Sequence, residues 1–291
     1  MTDLTNDLTH LLTLKQQGPN EFEGQSLNPG WNRVYGGQVI AQAIIAVNTT
    51  TDPEKQCHSM HAYFLRPGNP DAPITYTVTP VRDGRSFQTR ALEASQNNET
   101  IFTMTASFHK QEPGPEHQDE PGPIPAPEDL PPVTDLMQKY GDKLPKAVSH
   151  YFTRERPFEL RPLDISRYMQ PKPAPATQSF WIKPTQPLED DLALHQAALG
   201  YASDFTLLDT ALIPHGKLLF DPSLMLASLD HSFWFHRPFT LNDWILYKQT
   251  SSSASNARAL CHGQFFNRQG LLIASTTQEG LTRPITLAKK A

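Results

Sequence analysis

The chain has 291 residues, 38% of them hydrophobic and 19% charged, with a formal net charge of −5 at pH 7. That balance suits a soluble globular protein with material for one large domain or two ordinary ones, and it offers no global basic field for nucleic acid or an anionic membrane. Two cysteines, Cys57 and Cys261, make neither a disulfide framework nor a metal cluster and suit a reducing cytosol.

Leu4, Leu8, Leu11 and Leu12 fall at helical spacing behind Thr2 or Asp3 as cap, which predicts a short amphipathic helix. The N-terminus lacks a basic leader, no window approaches eighteen apolar residues, and the C-terminal ITLAKKA is not a peroxisomal Ser-Lys-Leu address; a cytoplasmic protein without a membrane anchor is expected. Residues 20–26 read as a short strand, broken by Pro29 and Gly30. Residues 34–47, opened by Gly36 and Gly37, read as a helix that is apolar nearly all round, of the kind found at the centre of a domain. Strand-like runs follow at 58–66, 74–82, 87–95 and 101–109, parted by turn signals at Pro67-Gly68, Asp83-Gly84 and Asn97-Asn98. One buried helix with hairpin-linked strands describes an antiparallel sheet wrapped round a helix.

Residues 111–135 are dense in proline and acid, so donors for regular pairing are missing and the segment reads as a linker. Strands are then expected at 158–168 and 179–184, a second apolar helix at 195–215, and further strands at 224–236, 244–251, 257–266 and 271–278. The order strand, buried helix, strands thus occurs twice. Residue echoes agree: residues 58–67 (HSMHAYFLRP) lie against 229–238 (LDHSFWFHRP), and Arg90-Ala91-Leu92 against Arg258-Ala259-Leu260. We read an internal duplication, with residues 1–110 as the first repeat, 111–150 as a Pro-rich linker and 151–291 as the second repeat. Two such sheets are expected to merge edge to edge, since each otherwise leaves an open edge.

Asp204 stands in the second apolar helix, where a carboxylate is costly unless paired or used. Two readings are open: Ser203 or Asp204 caps a helix that starts late, at Phe205, or Asp204 is a catalytic acid. The matching helix at 34–47 carries no acid, so the repeated fold alone does not call for one. Ser228 taken alone is an ordinary strand serine. Gln278 taken alone is likewise a solvated strand end, although alternation sets Ala274, Thr276 and Gln278 on one face of a strand that could turn to the interior. His58 and His61 fall on opposite faces by the same count, as do His231 and His236, which is poor geometry for a metal; all four are read as packed or interface histidines, with His58 and His231 held in reserve for substrate binding.

Long motifs carry a resemblance. Arg33-Val34-Tyr35-Gly36-Gly37-Gln38-Val39, residues 61–68 (HAYFLRPG), residues 199–204 (LGYASD), residues 229–238 and Gln278-Glu279-Gly280 resemble the acyl-CoA thioesterase II family, in the same order along nearly the whole chain. The resemblance implies an α+β double hotdog fold, two tandem repeats each with a sheet wrapped round a central helix. It further implies hydrolysis of acyl-CoA to free fatty acid and coenzyme A. The family's catalytic Asp, hydroxyl residue and Gln map onto Asp204, Ser228 and Gln278, with Ser228 standing where members usually carry Thr. Thioester hydrolysis needs a held water, a base and donors for an oxyanion. Asp204 suits the base, Ser228 and Gln278 suit fixing water and carboxylate, and the backbone at Gly36, Gly37 and Gln38 or around Gly200 offers oxyanion donors. Arg66-Pro67 and Arg237-Pro238 read as structural anchors, although an arginine could meet a phosphate of coenzyme A.

No Gly-x-Ser-x-Gly elbow is present, so direct attack by water is expected rather than an acyl-enzyme. Neither metal nor cofactor is expected, the partner is the acyl-CoA substrate, and assembly as a homodimer or homotetramer is anticipated. The alternatives are a hotdog 3-hydroxyacyl-CoA dehydratase or hydratase, for which the Asp-x-x-x-x-His pattern is missing, and a non-catalytic acyl-CoA binding protein.

Overall fold

A computed structural model describes residues 8–26 and 32–285. The first repeat supplies β1 (Lys15–Gly18), β2 (Glu21–Gly24), β3 (Lys55–Phe64), β4 (Ile74–Asp83), β5 (Phe87–Gln96) and β6 (Glu99–Lys110). The second supplies β7 (Phe158–Pro162), β8 (Thr177–Pro184), β9 (Leu224–Ser228), β10 (Asp230–Phe235), β11 (Ile245–Ser255), β12 (Arg258–Asn267) and β13 (Leu272–Pro284). All belong to one 13-stranded sheet in the order β1-β2-β4-β5-β6-β3-β10-β13-β12-β11-β8-β7, with β9 paired to β13 off this path. Every pairing is antiparallel. The repeats merge at β3 and β10, where Met60 faces Phe233 and Ala62 faces His231, so the edge each repeat would leave open is closed by the other.

Two helices, α2 (Gly36–Thr49) and α6 (Leu192–Ser203), run inside the curl of this sheet. Their apolar residues reach all round because every side meets either strands or the other helix. The two cross closely. A Cβ on Gly37 would stand 2.3 Å from the Tyr201 carbonyl oxygen, and one on Gly200 would stand 2.7 Å from Ile44 Cδ1. Both positions therefore need glycine for close approach. The core round them is aromatic, with Tyr76, Phe102, Phe108, Phe233, Tyr247 and Phe265 fully buried; each contributes on the order of 2–3 kcal/mol by leaving water. The N-terminal helix α1 (Leu8–Leu12) buries Leu8, Leu11 and Leu12, while Leu4, Pro29 and Gly30 lie outside the described residues.

Several expectations need correction. Residues 195–215 are not one helix. Asp191 caps the start of α6, accepting from Ala193 N at 2.9 Å, and the helix closes at Ser203 with Asp204 as its C-terminal cap. Thr206 then takes a left-handed φ of 56°, and a 3-10 stretch covers Leu208–His215. What ends the helix is lateral: its continuation would need the carbonyls of Tyr201 and Ser203, which accept instead from the Tyr35 hydroxyl at 3.0 Å and the Tyr247 hydroxyl at 2.5 Å, while Gln249 on β11 and Gln178 on β8 hold the turn that follows through Phe205 O at 2.7 Å and Thr206 O at 2.9 Å. Residues 224–236 likewise split at Leu229 into β9 and β10. Residues 158–168 are strand only to Pro162, which has no N–H to carry the ladder on, and the short helix α5 (Ser166–Met169) follows.

The segment 111–150 contains two helices, α3 (Val133–Tyr140) and α4 (Lys146–Thr153), whose inward residues Val133, Met137, Val148, Tyr151 and Phe152 keep helical spacing. Its proline-dense part lies against the outer face of the second repeat. Trp181 Nε1 donates to Pro125 O at 2.9 Å, Lys248 Nζ to Pro121 O at 2.8 Å, and Gln118 clamps Gly270 O and Leu272 N. Ile124 and Leu130 cover Trp181, Trp244 and Phe266. The carbonyls of a proline-rich strand remain free to accept, so side chains of the sheet hold it instead of a ladder.

His58 and His61 do not fall on opposite faces. A bulge between Cys57 and Ser59 shifts the register, so His58 meets Ser107 Oγ at 2.8 Å and His61 meets Ser232 Oγ at 3.0 Å, both on the outer face. His231 points inward and is fully buried, while His236 lies outward against Ser275 Oγ at 2.9 Å, as the alternation of β10 requires.

Candidate active site

Where α6 ends, the N-terminus of α2 begins, and Asp204 stands between them. Its Oδ2 accepts from the backbone N–H of Gly37 at 3.1 Å, and its Oδ1 accepts from Gln278 Nε2 at 2.9 Å. Paired glycines make the first contact possible: a Cβ on Gly36 would stand 2.9 Å from Asp204 Oδ2 and 3.0 Å from Phe64 Cζ. The first turn of α2 thus offers an N–H and the positive end of its dipole to the carboxylate. Burial nevertheless dominates. It pushes the Asp204 carboxyl from 3.8 up to about 6, against the lowering pull of Gln278, Gly37 and the Arg33 charge.

Gln278 lies on β13 with Ala274 and Thr276 on the same inward face, all buried. Its Nε2 also reaches Ser228 Oγ at 3.0 Å, at the close of β9. Asp204, Gln278 and Ser228, far apart in the chain, are therefore joined in one hydrogen-bonded chain. Since Ser228 accepts from Gln278, its own hydrogen is available to donate into the cleft.

That cleft has a volume of about 840 Å³ and is lined by Gly36, Asp204 and Ser228 together with apolar groups that include Val34, Phe64, Leu207, Leu208, Leu219 and Phe220. Tyr151 of α4 closes one wall, its ring centroid 5.6 Å from that of Phe220. Arg33 and Arg66 also border it; Arg33 donates to Leu226 O at 3.2 Å and the exposed Arg66 to Thr100 O at 2.7 Å.

The other sequence candidates separate. The Gln38 side chain turns away from the cleft and donates to Gln25 O at 3.2 Å. Gly37 has its N–H engaged by Asp204, which leaves Gly36 as the cleft-lining glycine of the helix start. His58 borders a different cleft, of about 570 Å³, with His109, Lys110 and Arg237. His231 does join the chain, its Nδ1 lying 3.3 Å from Gln278 Nε2. Both cysteines are buried, and desolvation pushes their thiols up to about 12 for Cys57 and about 11 for Cys261, so neither supplies thiolate at neutral pH. Among the described residues no group of three or more His, Cys, Asp and Glu is arranged to hold a metal ion, and no helix is long and apolar enough to cross a membrane.

A second acid in the same stretch, Asp209, was passed over by the pattern reading and serves as a comparison. It too borders the cleft and is buried, yet both its oxygens are committed: Oδ1 to Arg167 Nη2 and Leu219 N, each at 2.9 Å, and Oδ2 to the Tyr168 hydroxyl at 2.9 Å. Asp209 ties α5 to the loop carrying Leu219 and Phe220. Also missed were Gln178 and Gln249, which hold the turn after Asp204, and the hydroxyls of Ser203 and Thr276 beside His231. Their signal was present in the alternation of β8, β11 and β13, which sets glutamine and threonine on faces that are otherwise apolar.

Comparison with known proteins gives the family. A family model for acyl-CoA thioesterase matches residues 147–281, and one for the acyl-CoA thioesterase N-terminal domain matches residues 27–109. The chain is 41% identical to acyl-CoA thioesterase 2 of Haemophilus influenzae over 97% of this chain and 99% of that one. It is 33% identical to human acyl-coenzyme A thioesterase 8, over 95% of this chain and 88% of the relative. A crystal structure of an acyl-CoA thioesterase II from Mycobacterium marinum superposes with a TM-score of 0.78 at 37% identity, covering 96% of this chain and 99% of that one. The chain belongs to the acyl-CoA thioesterase II family and has its double hotdog fold.

Proposed function

We propose that this protein, a hydrolase of acyl-CoA thioesters, works by direct attack of a water that Asp204 deprotonates and that Ser228 and Gln278 hold in place. The observation that carries the reading is the Asp204, Gln278 and Ser228 chain opening onto an apolar cleft. Water donates one hydrogen to the Asp204 carboxylate and accepts from the Ser228 hydroxyl, which leaves a lone pair for the thioester carbonyl carbon. As the C–O bond forms, the proton passes to Asp204 and charge gathers on the carbonyl oxygen, where the Gly36 N–H at the start of α2 is the donor we assign. When the tetrahedral intermediate collapses, the C–S bond breaks and the coenzyme A sulfur takes the proton back from Asp204. The carboxyl's position near pH 6 suits both roles, since a base this close to neutrality also gives its proton up readily.

Apolar residues from Leu207 to Phe220 take the acyl chain, and Arg33 and Arg66 at the border take phosphate of coenzyme A. We assign residues 1–110 and 151–291 to the two repeats. We further propose a cytoplasmic protein, in keeping with its two free buried cysteines, that assembles as a homodimer or larger through outer faces where Tyr63 and Val81 stand exposed.

Thiol release from acyl-CoA by Asp204→Asn is the test. Loss of about 10²- to 10⁴-fold in kcat with the fold retained is expected for removal of a general base; turnover near that of the unsubstituted protein would remove Asp204 from the role.

A further inference from the structure

Gln278 presents a puzzle in hydrogen-bond accounting. Its carboxamide is fully buried, the two hydrogens of its nitrogen are shared among three acceptors, Asp204, Ser228 and His231, and its Oε1 has no donor among the described residues. A half-turn of the amide would place Oε1 next to the Ser228 hydroxyl, which can donate. Something must hold the amide the costlier way round.

We propose that His231 is a positioning residue: as the neutral Nε2–H tautomer it presents a bare Nδ1 that accepts from Gln278 Nε2 and so keeps the amide nitrogen, not the oxygen, toward Asp204 and Ser228. This rests on the catalytic reading of Asp204 and Gln278 above. The tautomer follows from the neighbours. Ser203 Oγ and Thr276 Oγ1 lie 2.9 and 2.8 Å from His231 Nε2. Each hydroxyl already donates to a backbone carbonyl, Ser203 to Gly200 O at 2.7 Å and Thr276 to Ser232 O at 2.9 Å. Both can only accept from the ring, so Nε2 carries the hydrogen. The opposite tautomer would set N–H against N–H at Gln278 and lone pair against lone pair at both hydroxyls. Protonation of the ring is excluded as well, because burial without a carboxylate partner drops its pKa to about 3.

Asp204 and His231 thus present only acceptors to the amide while Asp204 is ionised. Once Asp204 is protonated, its O–H can donate to a turned Oε1, and His231 alone opposes the turn. Loss of that acceptor therefore favours protonated Asp204 and moves the acid limb of the rate profile to higher pH. The other groups facing Asp204 do not compete for this limb. The Arg33 charge lowers Asp204, and burial raises the phenols of Tyr35, Tyr151, Tyr201 and Tyr247 above their ordinary value.

Two substitutions split the ring's functions. Asparagine reaches the Nδ1 position and can return the acceptor; glutamine reaches the Nε2 position and returns only the bond to Ser203 and Thr276. We expect His231→Gln to lower kcat by about tenfold or more and to move the acid limb up by about half a pH unit, with KM little changed, and His231→Asn to recover turnover to within about threefold of the parent protein. Melting temperatures of both variants separate this from a structural loss. Equal defects in the two variants, or a His231→Gln acid limb that stays in place, would overturn the proposal. Asp204→Asn run alongside distinguishes the failures: full turnover there sinks the catalytic reading and this proposal with it, whereas lost turnover with indistinguishable His231 variants sinks this proposal alone.

Discussion

Asp204→Asn is expected to make the protein more stable at pH 8 and less stable at pH 4. In the unfolded chain the carboxyl ionises at its ordinary 3.8, and in the fold at about 6. Below the lower value both states hold the proton and the site costs nothing. Between the two, the unfolded chain gives up a proton that the folded chain keeps, so stability falls as pH rises, and the loss is complete above the folded value. A rise of roughly two pH units is worth about 3 kcal/mol, on the order of 1.4 kcal/mol per unit. Asparagine escapes this cost but brings its own. Asp204 accepts on both oxygens, from Gln278 Nε2 and from Gly37 N, so the new NH₂ either faces one of those donors or turns the Gln278 amide against His231, a mismatch of about 1–2 kcal/mol in either case.

The difference leaves the variant about 1–2 kcal/mol more stable at pH 8, where a chain of this size melts about 2–4 °C higher per kcal/mol. At pH 4 the folded carboxyl is neutral and the unfolded one only partly ionised, so about half a kcal/mol of the burial cost remains, the mismatch outweighs it, and the sign reverses. Thermal melts of both proteins at pH 4, 5, 6, 7 and 8, with thiol release measured on the same preparations, test this. A melting difference independent of pH, or a less stable variant at pH 8, would refute the claim that burial of a working carboxylate is what raises this group.

The parent protein's kcat should fall about tenfold per pH unit below the Asp204 value near 6, because only the carboxylate accepts the water proton. Gln278→Ala removes the donor on Oδ1, so its acid limb should lie above that of the parent and its plateau rate should drop about 10²-fold, with near-normal turnover removing Gln278 from the mechanism. Ser228→Ala should lose about 10²-fold in kcat while Ser228→Thr retains or raises the rate, since threonine keeps the hydroxyl and its methyl restricts the rotamer; equal rates for the alanine and threonine variants would exclude a role for the hydroxyl. Asp209→Asn leaves Arg167 and the Tyr168 hydroxyl facing a weakened partner in the interior, and denaturant unfolding should show about 3–5 kcal/mol lost, a value under 1 kcal/mol arguing against a buried ion pair.

The two acids at 204 and 209 show where the sequence could be read and where it could not. Alternation reported the strands, each with one face turned to the core, and unbroken apolar composition reported the helix at 34–47; both are local properties of the chain, and their recurrence gave the repeat. The end of α6 was not legible. Residues 204–212 remain apolar in pattern, and helix stops at Ser203 because Tyr35 and Tyr247, distant in sequence, claim the carbonyls of Tyr201 and Ser203, while Gln178 and Gln249 hold the turn that follows. The helices in the linker were hidden for the opposite reason, since proline outside their bounds masked apolar spacing within them. At the site, family motifs placed Asp204, Ser228 and Gln278, yet the same stretch holds Asp209, equally buried and five residues on. What separates the two is the number and kind of donors. Asp209 has an arginine, a phenol and an amide N–H and is held in place by all three; Asp204 has two uncharged donors and an open side toward the cleft. Burial raises the Asp209 carboxyl as well as that of Asp204. What sets Asp204 apart is that its two donors carry no charge, the property our proposal uses, and that difference arises only when α5, α2 and β13 are brought against the end of α6.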